Sequence, residues 1–253
     1  MITVETLGSS SRGNCYRLTS GGSSLLLECG LPWAQIRKRL NFKTTDLDGC
    51  LTSHFHGDHS KAAVDVMRAG IDLYATQAAF DSAGIPGPQH RFKPLLCRHT
   101  IDIGTRWRVM AFEAVHDAPG TVGFWITDSD GDKLVFLTDS AFAYYTFPGT
   151  NIYMIEANFS EEILQRNVEA GLIDAARARR VRENHMGIER VVEMLRVNDL
   201  SNCRSIHLLH ASDGNSDAIQ FKRMVEEATG IPTTIEGGHG RGTSAGAGHN
   251  LQR

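Results

Sequence analysis

Nowhere do the 253 residues stay apolar for the roughly 20 positions that a membrane-spanning helix requires, so no membrane partner is expected. Charge of one sign is missing too. A net charge of −3 provides no basic field of the kind that holds nucleic acid by electrostatics alone. Cysteine is sparse. Cys15, Cys29, Cys50, Cys97 and Cys203 are scattered and odd in number, which speaks against a disulfide framework and for a reducing compartment. None stands in a Cys-x-x-Cys pair, which excludes a structural zinc site of that type. Met1-Ile2-Thr3-Val4 starts directly as a strand with no targeting pattern, so the expected location is cytoplasmic. The length fits one large α/β domain or two small ones.

What the chain does have is histidine at close spacing. Ser53-His54-Phe55-His56-Gly57-Asp58-His59-Ser60 carries four metal-competent side chains. Ahead of it, 48–52 reads as a short buried strand. Behind it, 61–67 reads as a helix with Val64 and Met67 on one face. The cluster therefore sits on a loop leaving a strand and opening a helix, where a rigid scaffold displays chemistry. Residues two apart in an extended stretch point the same way, so His54 and His56 converge on one cation. Asp58 and His59 point elsewhere and can hold a second. Imidazole suits zinc, manganese or iron, and the carboxylate adds a harder ligand. Gly57 permits the tight turn between the two pairs.

Three later strands end in the same kind of display. The strand at 107–115 ends at His116, the strand at 133–137 ends at Asp139, and the strand at 205–209 ends at His210. His116 offers a third neutral ligand and Asp139 a bridging carboxylate. His207 lies inside its strand and reads as packing. His90, His99, His239 and His249 receive no role. Arg177, Arg179, Arg180 and Arg182 form either a solvated helix face or a phosphate-contacting patch. His185 reads as the opening of an amphipathic helix with Ile188, Val191, Val192 and Leu195, where the helix dipole disfavours its cation.

His-x-His-x-Asp-His at 54–59 resembles the signature of the metallo-β-lactamase superfamily. Thr52 and Ser53 stand where most members carry an apolar residue and Thr. His-Asp-Ala at 116–118, a Gly-aromatic strand and Thr-Asp-Ser at 138–140 resemble its third and fourth motifs. Leu-Gly-Ser-Ser-Ser-x-Gly-Asn-Cys-Tyr at 7–16 resembles the start of the YycJ/WalJ-like nucleases. That likeness favours a phosphate-facing loop at 8–14 over a plain hairpin connection. Glu156-Ala157, His185 and Leu-His-x-Ser at 209–212 resemble late motifs of phosphodiesterase members such as RNase Z. Asn-His-Met-Gly at 184–187 departs from the more usual Gly-His-Leu-Ser.

The resemblance implies an α/β chain built as a four-layer αββα sandwich. Two mixed sheets lie face to face with helices outside and the site at one edge. It implies a hydrolase domain over 1–236 and a Gly-rich flexible tail over 237–253. Two divalent metal ions, zinc or manganese, are implied: one on His54, His56 and His116, the other on Asp58, His59 and His210, with Asp139 bridging. Asp58, His185 and Glu156 form the implied catalytic set, His185 assisting the leaving group and Glu156 orienting it. The implied reaction is hydrolysis of DNA or RNA phosphodiesters by a metal-activated water. A cyclic-nucleotide phosphodiesterase is the alternative, and a thioester or lactone hydrolase a more distant one. The expected partner is a nucleic acid or nucleotide substrate, and a homo-oligomer is compatible with the sequence.

Overall fold

The structure, a computed structural model, describes residues 1–212 and 214–237. The tail expected from 237 onward falls outside the described residues from 238. The first half builds a sheet of six strands in chain order: β1 (Thr3–Gly8), β2 (Cys15–Ser20), β3 (Ser23–Leu27), β4 (Leu47–Leu51), β5 (Leu73–Thr76) and β6 (Phe92–Leu95). The second sheet follows, again with sequence neighbours side by side: β7 (Thr100–Ile103), β8 (Trp107–Glu113), β9 (Val122–Asp128), β10 (Lys133–Leu137), β11 (Ile152–Glu156), β12 (Ser205–Leu209) and β13 (Thr233–Ile235). Both sheets are mixed. β1 to β3 pair antiparallel and β3 to β6 parallel. β7 to β10 pair antiparallel and β10 to β13 parallel.

Hydrophobic pattern sets the layers. Leu25, Leu26 and Leu27 are consecutive and all buried, as is every residue of β11. Such runs belong to strands covered on both faces. Leu18, Leu25, Leu27 and Leu51 pack against Trp107, Phe124, Phe136 and Met154 between the sheets. Outside the first sheet, Leu26, Cys50 and Leu73 meet helices α1 (Trp33–Arg39), α3 (Ala63–Arg68) and α4 (Gln77–Ala83), with the one-turn α2 (Gly57–Ser60) before α3. Outside the second, Val135, Tyr153 and Ile155 meet α7 (Ile188–Val197) and α8 (Ala218–Thr229). Helices α5 (Glu161–Glu169) and α6 (Ala175–Asn184) precede α7. The result is the expected α/β/β/α order. Each fully buried Leu, Ile or Phe contributes roughly 1.5–3 kcal/mol of transfer free energy. Packing of this kind, more than local propensity, holds the strand ends rigid.

Register then brings those ends level. Leu137 pairs with Ile155 and Glu156 with Leu209, so β10, β11 and β12 finish at one edge. The Val122 amide donates to the Ser53 carbonyl at 3.1 Å, which ties the exit of β4 to the start of β9 across the two sheets. Among the described residues, no helix is long and apolar enough to cross a membrane.

Two local expectations are corrected. The helix expected over 61–67 is present as α3, but the cluster before it, expected as loop, forms the separate single turn α2. The Asp58 carbonyl is taken by the Asn14 amide at 2.7 Å, and the Ala62 amide donates to the Cys29 carbonyl at 2.9 Å, so the bond that would carry the helix through is not made. His185 does not open a helix. It caps the C-terminus of α6, its amide donating to the Val181 carbonyl at 2.9 Å, while α7 begins at Ile188 behind Gly187.

Candidate metal centre

β4 ends at Leu51, and the extended exit through Ser53 turns His54 and His56 toward the gap between the sheets. His54 is fully buried. Its Nδ1 lies 2.9 Å from the Ser53 hydroxyl, which fixes the ring and leaves Nε2 to the interior. His116, three residues beyond β8, points Nδ1 at the Asn184 carbonyl at 3.1 Å and Nε2 at His56 Nδ1 at 3.2 Å. His54, His56 and His116 thus offer nitrogens within 4.8 Å of one another.

A second group adjoins the first. Asp58, His59 and His210 offer ligand atoms within the same spacing. His59 Nε2 is 3.4 Å from Asp58 Oδ2, and His210 Nε2 is 3.6 Å from it. Asp139 stands between the groups and faces both. Its Oδ2 lies 3.9 Å from His54 and 4.0 Å from His116, while its Oδ1 lies 3.4 Å from His59 and 3.1 Å from His210. Asp139 and His210 adopt φ of +36° and +52°, a region costly for residues with a Cβ. Neighbours hold His210 there: its amide donates to Ser9 Oγ at 3.2 Å and its carbonyl accepts from Asn158 at 3.1 Å.

Glu156, at the end of β11, is fully buried and serves two histidines. Its Oε1 lies 2.7 Å from His185 Nδ1 and 3.2 Å from His210 Nδ1. Its Oε2 accepts the Ser140 and Met186 amides at 3.0 and 3.2 Å. Burial works against the charge on His185, but the Glu156 carboxylate outweighs it and holds the ring above its ordinary pKa. The expected dipole penalty is absent, because a helix C-terminus favours a cation. With Nδ1 committed to Glu156, Nε2 is the ring atom left for the cavity that His185 lines.

The charge balance calls for a cation. Burial opposes the charge on Asp139, yet His210 and His59 hold it well below the usual carboxylate range. Asp58 is likewise depressed against burial, by hydrogen bonds from His210 and His59. Burial also opposes the charge on His59 and His210, but Asp139 pushes both upward. Burial keeps His54 and His116 low. The carboxylates thus bias the His59 and His210 rings toward their protonated forms. Meanwhile His54 Nε2, His59 Nδ1 and His210 Nε2 are buried without a hydrogen-bond partner. Buried polar atoms in that state are costly unless something else satisfies them. Neutral imidazole and carboxylate are the donors of zinc and manganese, so the set fits divalent metal.

The structure brings together His54, His56, Asp58, His59, His116, Asp139, Glu156, His185 and His210. It leaves His90 and His99 apart from the site, His99 on the Cys97 carbonyl. His207 is not simple packing: it pairs with Glu236 at 2.8 Å. Sequence reasoning missed Glu28, Asn14 and Asn184. Glu28, fully buried at φ +61°, accepts the Ser53 amide at 3.1 Å and stands 3.7 Å from His59, with burial pushing its carboxyl up. A lone acid closing the run Leu25-Leu26-Leu27 was its one available signal. Asn14 reaches His59 at 3.2 Å, which ties the Ser/Gly loop to the site.

The chain is similar to known proteins in sequence and in fold. Exodeoxyribonuclease WalJ of Streptococcus pneumoniae is 31% identical over 175 residues, which is 63% of this chain and 63% of that protein. The chain thus matches somewhat under two thirds of that relative's length. The metallo-β-lactamase fold protein YhfI of Bacillus subtilis superposes with a TM-score of 0.69 at 15% identity, covering 93% of this chain and 96% of that one. The short form of human tRNase Z superposes with a TM-score of 0.61 at 15% identity, covering 93% and 96%. A family model described as the beta-lactamase superfamily domain matches residues 24–208, and the chain belongs to that superfamily.

Proposed function

We propose that this chain is a metal-dependent phosphodiesterase that hydrolyses DNA or RNA, with His185 as the proton donor to the leaving oxygen. His54, His56 and His116 would hold one zinc or manganese ion and Asp58, His59 and His210 a second, with Asp139 shared. When bound, such ions lower the pKa of water and neutralise charge on phosphoryl oxygens. The chain's own residues do the rest. Glu156 holds the pKa of His185 above its ordinary value and fixes its ring at 2.7 Å. His185 lines the cavity that also holds Asp58, His116 and Asp139, within reach of a departing oxygen.

The Glu156–His185 pair carries the reading. An expelled sugar alkoxide is a strong base and needs a proton. A thioester hydrolase releases a thiolate and needs none, so the pair weighs against that chemistry. The WalJ relative, an exodeoxyribonuclease, supports a nucleic-acid substrate. The test sets an end-labelled single-stranded oligonucleotide beside a panel of cyclic mononucleotides, with protein loaded with manganese or zinc. Shortening of the oligonucleotide supports the proposal. Turnover of cyclic nucleotides alone moves the function to a small-molecule phosphodiesterase. No phosphodiester cleavage by metal-loaded protein refutes it.

A further inference from the structure

Beside the metal-lined cavity, of about 440 Å³, lies a second of about 550 Å³. The two adjoin, for Ser11, Arg177, Val181, His185 and His210 line both. The second holds none of His56, His116 or Asp139. Its walls are of two kinds. Leu172, Ile173 and Val181 give an apolar side, while Asn158, Ser212 and Asn215 give a polar one. Asn167 holds the polar side in shape, donating to the Gly214 carbonyl and to Asn215, each at 2.9 Å. An apolar wall suits the face of a base, and amides and hydroxyls suit its edge and the sugar.

The four arginines of α6 are not equivalent. Arg179 pairs with Glu183 at 2.7 Å, and Arg182 with Glu161, both on the exposed surface. Arg180 pairs at 3.0 Å with Asp117, itself 3.4 Å from His116. Arg177 has no carboxylate partner among the described residues, and it stands at the junction of the two cavities. A guanidinium with no carboxylate partner among the described residues, one step from a site that would take a phosphodiester, matches the next phosphate of a nucleic-acid chain.

We propose that the second cavity is a subsite for the nucleotide adjoining the scissile bond, with Arg177 binding that nucleotide's own phosphate. The substrate is then an oligonucleotide, since a cyclic mononucleotide has no second phosphate to offer. This rests on the phosphodiesterase reading above.

The test measures wild type, Arg177→Ala, Arg177→Lys and Arg179→Ala on two substrates: a single-stranded oligonucleotide and bis(p-nitrophenyl) phosphate, a diester with no second phosphate. Wild-type turnover of the small diester tests the phosphodiesterase reading separately. The expected result is a loss of kcat/KM for Arg177→Ala on the oligonucleotide of ~10- to 100-fold beyond its loss on the small diester. Arg177→Lys should recover part of it, and the log–log salt dependence should flatten by about one charge in Arg177→Ala but not in Arg177→Lys. Arg179→Ala should match wild type on both. Equal losses on the two substrates, or no loss on the oligonucleotide, overturn the subsite while leaving the phosphodiesterase intact. Because Arg177 is exposed, thermal melting should be unchanged, and a lowered melting point with equal losses also counts against the subsite.

Discussion

Removing the imidazole of His185 tests the proposed chemistry most directly. The side chain lines both cavities, its Nδ1 is held by Glu156 at 2.7 Å, and it belongs neither to the His54–His56–His116 group nor to the Asp58–His59–His210 group. A positioned general acid contributes about 10²–10⁴ in rate, or roughly 2.7–5.5 kcal/mol of barrier. His185→Ala should therefore lower kcat on an oligonucleotide by that factor. On bis(p-nitrophenyl) phosphate the loss should be at least about tenfold smaller, because p-nitrophenolate departs without a proton. Bound metal, measured by atomic emission, should match wild type. Glu156→Gln should have a related effect with a different signature. The raised pKa of His185 means its proton is fully held at low pH and lost as pH rises through that value. The alkaline fall of the wild-type rate should shift to lower pH when the carboxylate is neutralised. Equal losses of His185→Ala on both diesters, or loss of a metal, would refute the role; the second result would make His185 a ligand, since it also groups with Asp139, Glu156 and His210.

Three shorter predictions follow from the same geometry. His56→Ala removes one of three convergent nitrogens, so bound metal should fall and kcat/KM drop by ~100-fold or more; full activity sinks the ligand assignment. Gly30→Ala would place a Cβ 1.7 Å from the Asp58 carbonyl oxygen, so the urea midpoint should fall by an amount equivalent to ~1–3 kcal/mol, and an unchanged midpoint contradicts that close approach. Glu236 is held down to about 2, chiefly by its hydrogen bond with His207. Its contribution is full above its ordinary value of 4.5 and is lost as pH falls toward 2, so wild-type melting should decline more steeply over that window than Glu236→Gln; parallel profiles would remove the pair from the stability account.

The layer order was legible because consecutive leucines and alternating runs report burial directly. The proximity of His54, His56, Asp58 and His59 was legible because it depends on a few bonds of chain. His116, Asp139 and His210 could be picked out only as polar residues closing apolar strands; their meeting depends on registers such as Glu156 with Leu209. The roles of Glu28 and Asn14 were hidden for the same reason carried further. Each acts through a partner far along the chain, and the local signals, an acid closing a leucine run and a residue within the Ser/Gly loop, do not name that partner. His185 was placed at the wrong end of a helix because Ile188 to Leu195 is strongly amphipathic, while the α6 residues before it read mainly as charge. The end of α6 is set by Glu156 and Asn184, which hold residues 116, 117, 185 and 186 by hydrogen bonds no periodicity encodes.

The Ser9 hydroxyl accepts the His210 amide across 201 residues of sequence, and this has a consequence for how the chain is made. On a ribosome, the histidine pair at 54 and 56 emerges early, while Asp139 and His210 are still untranslated. At about 5–20 residues per second the interval from His54 to His210 lasts roughly 10–30 s. His116 and Asp139 join them on the way, but throughout that interval the nascent chain lacks His210, without which the Asp58–His59–His210 group is incomplete. The full set of candidate ligands is thereby withheld until β12 has been delivered.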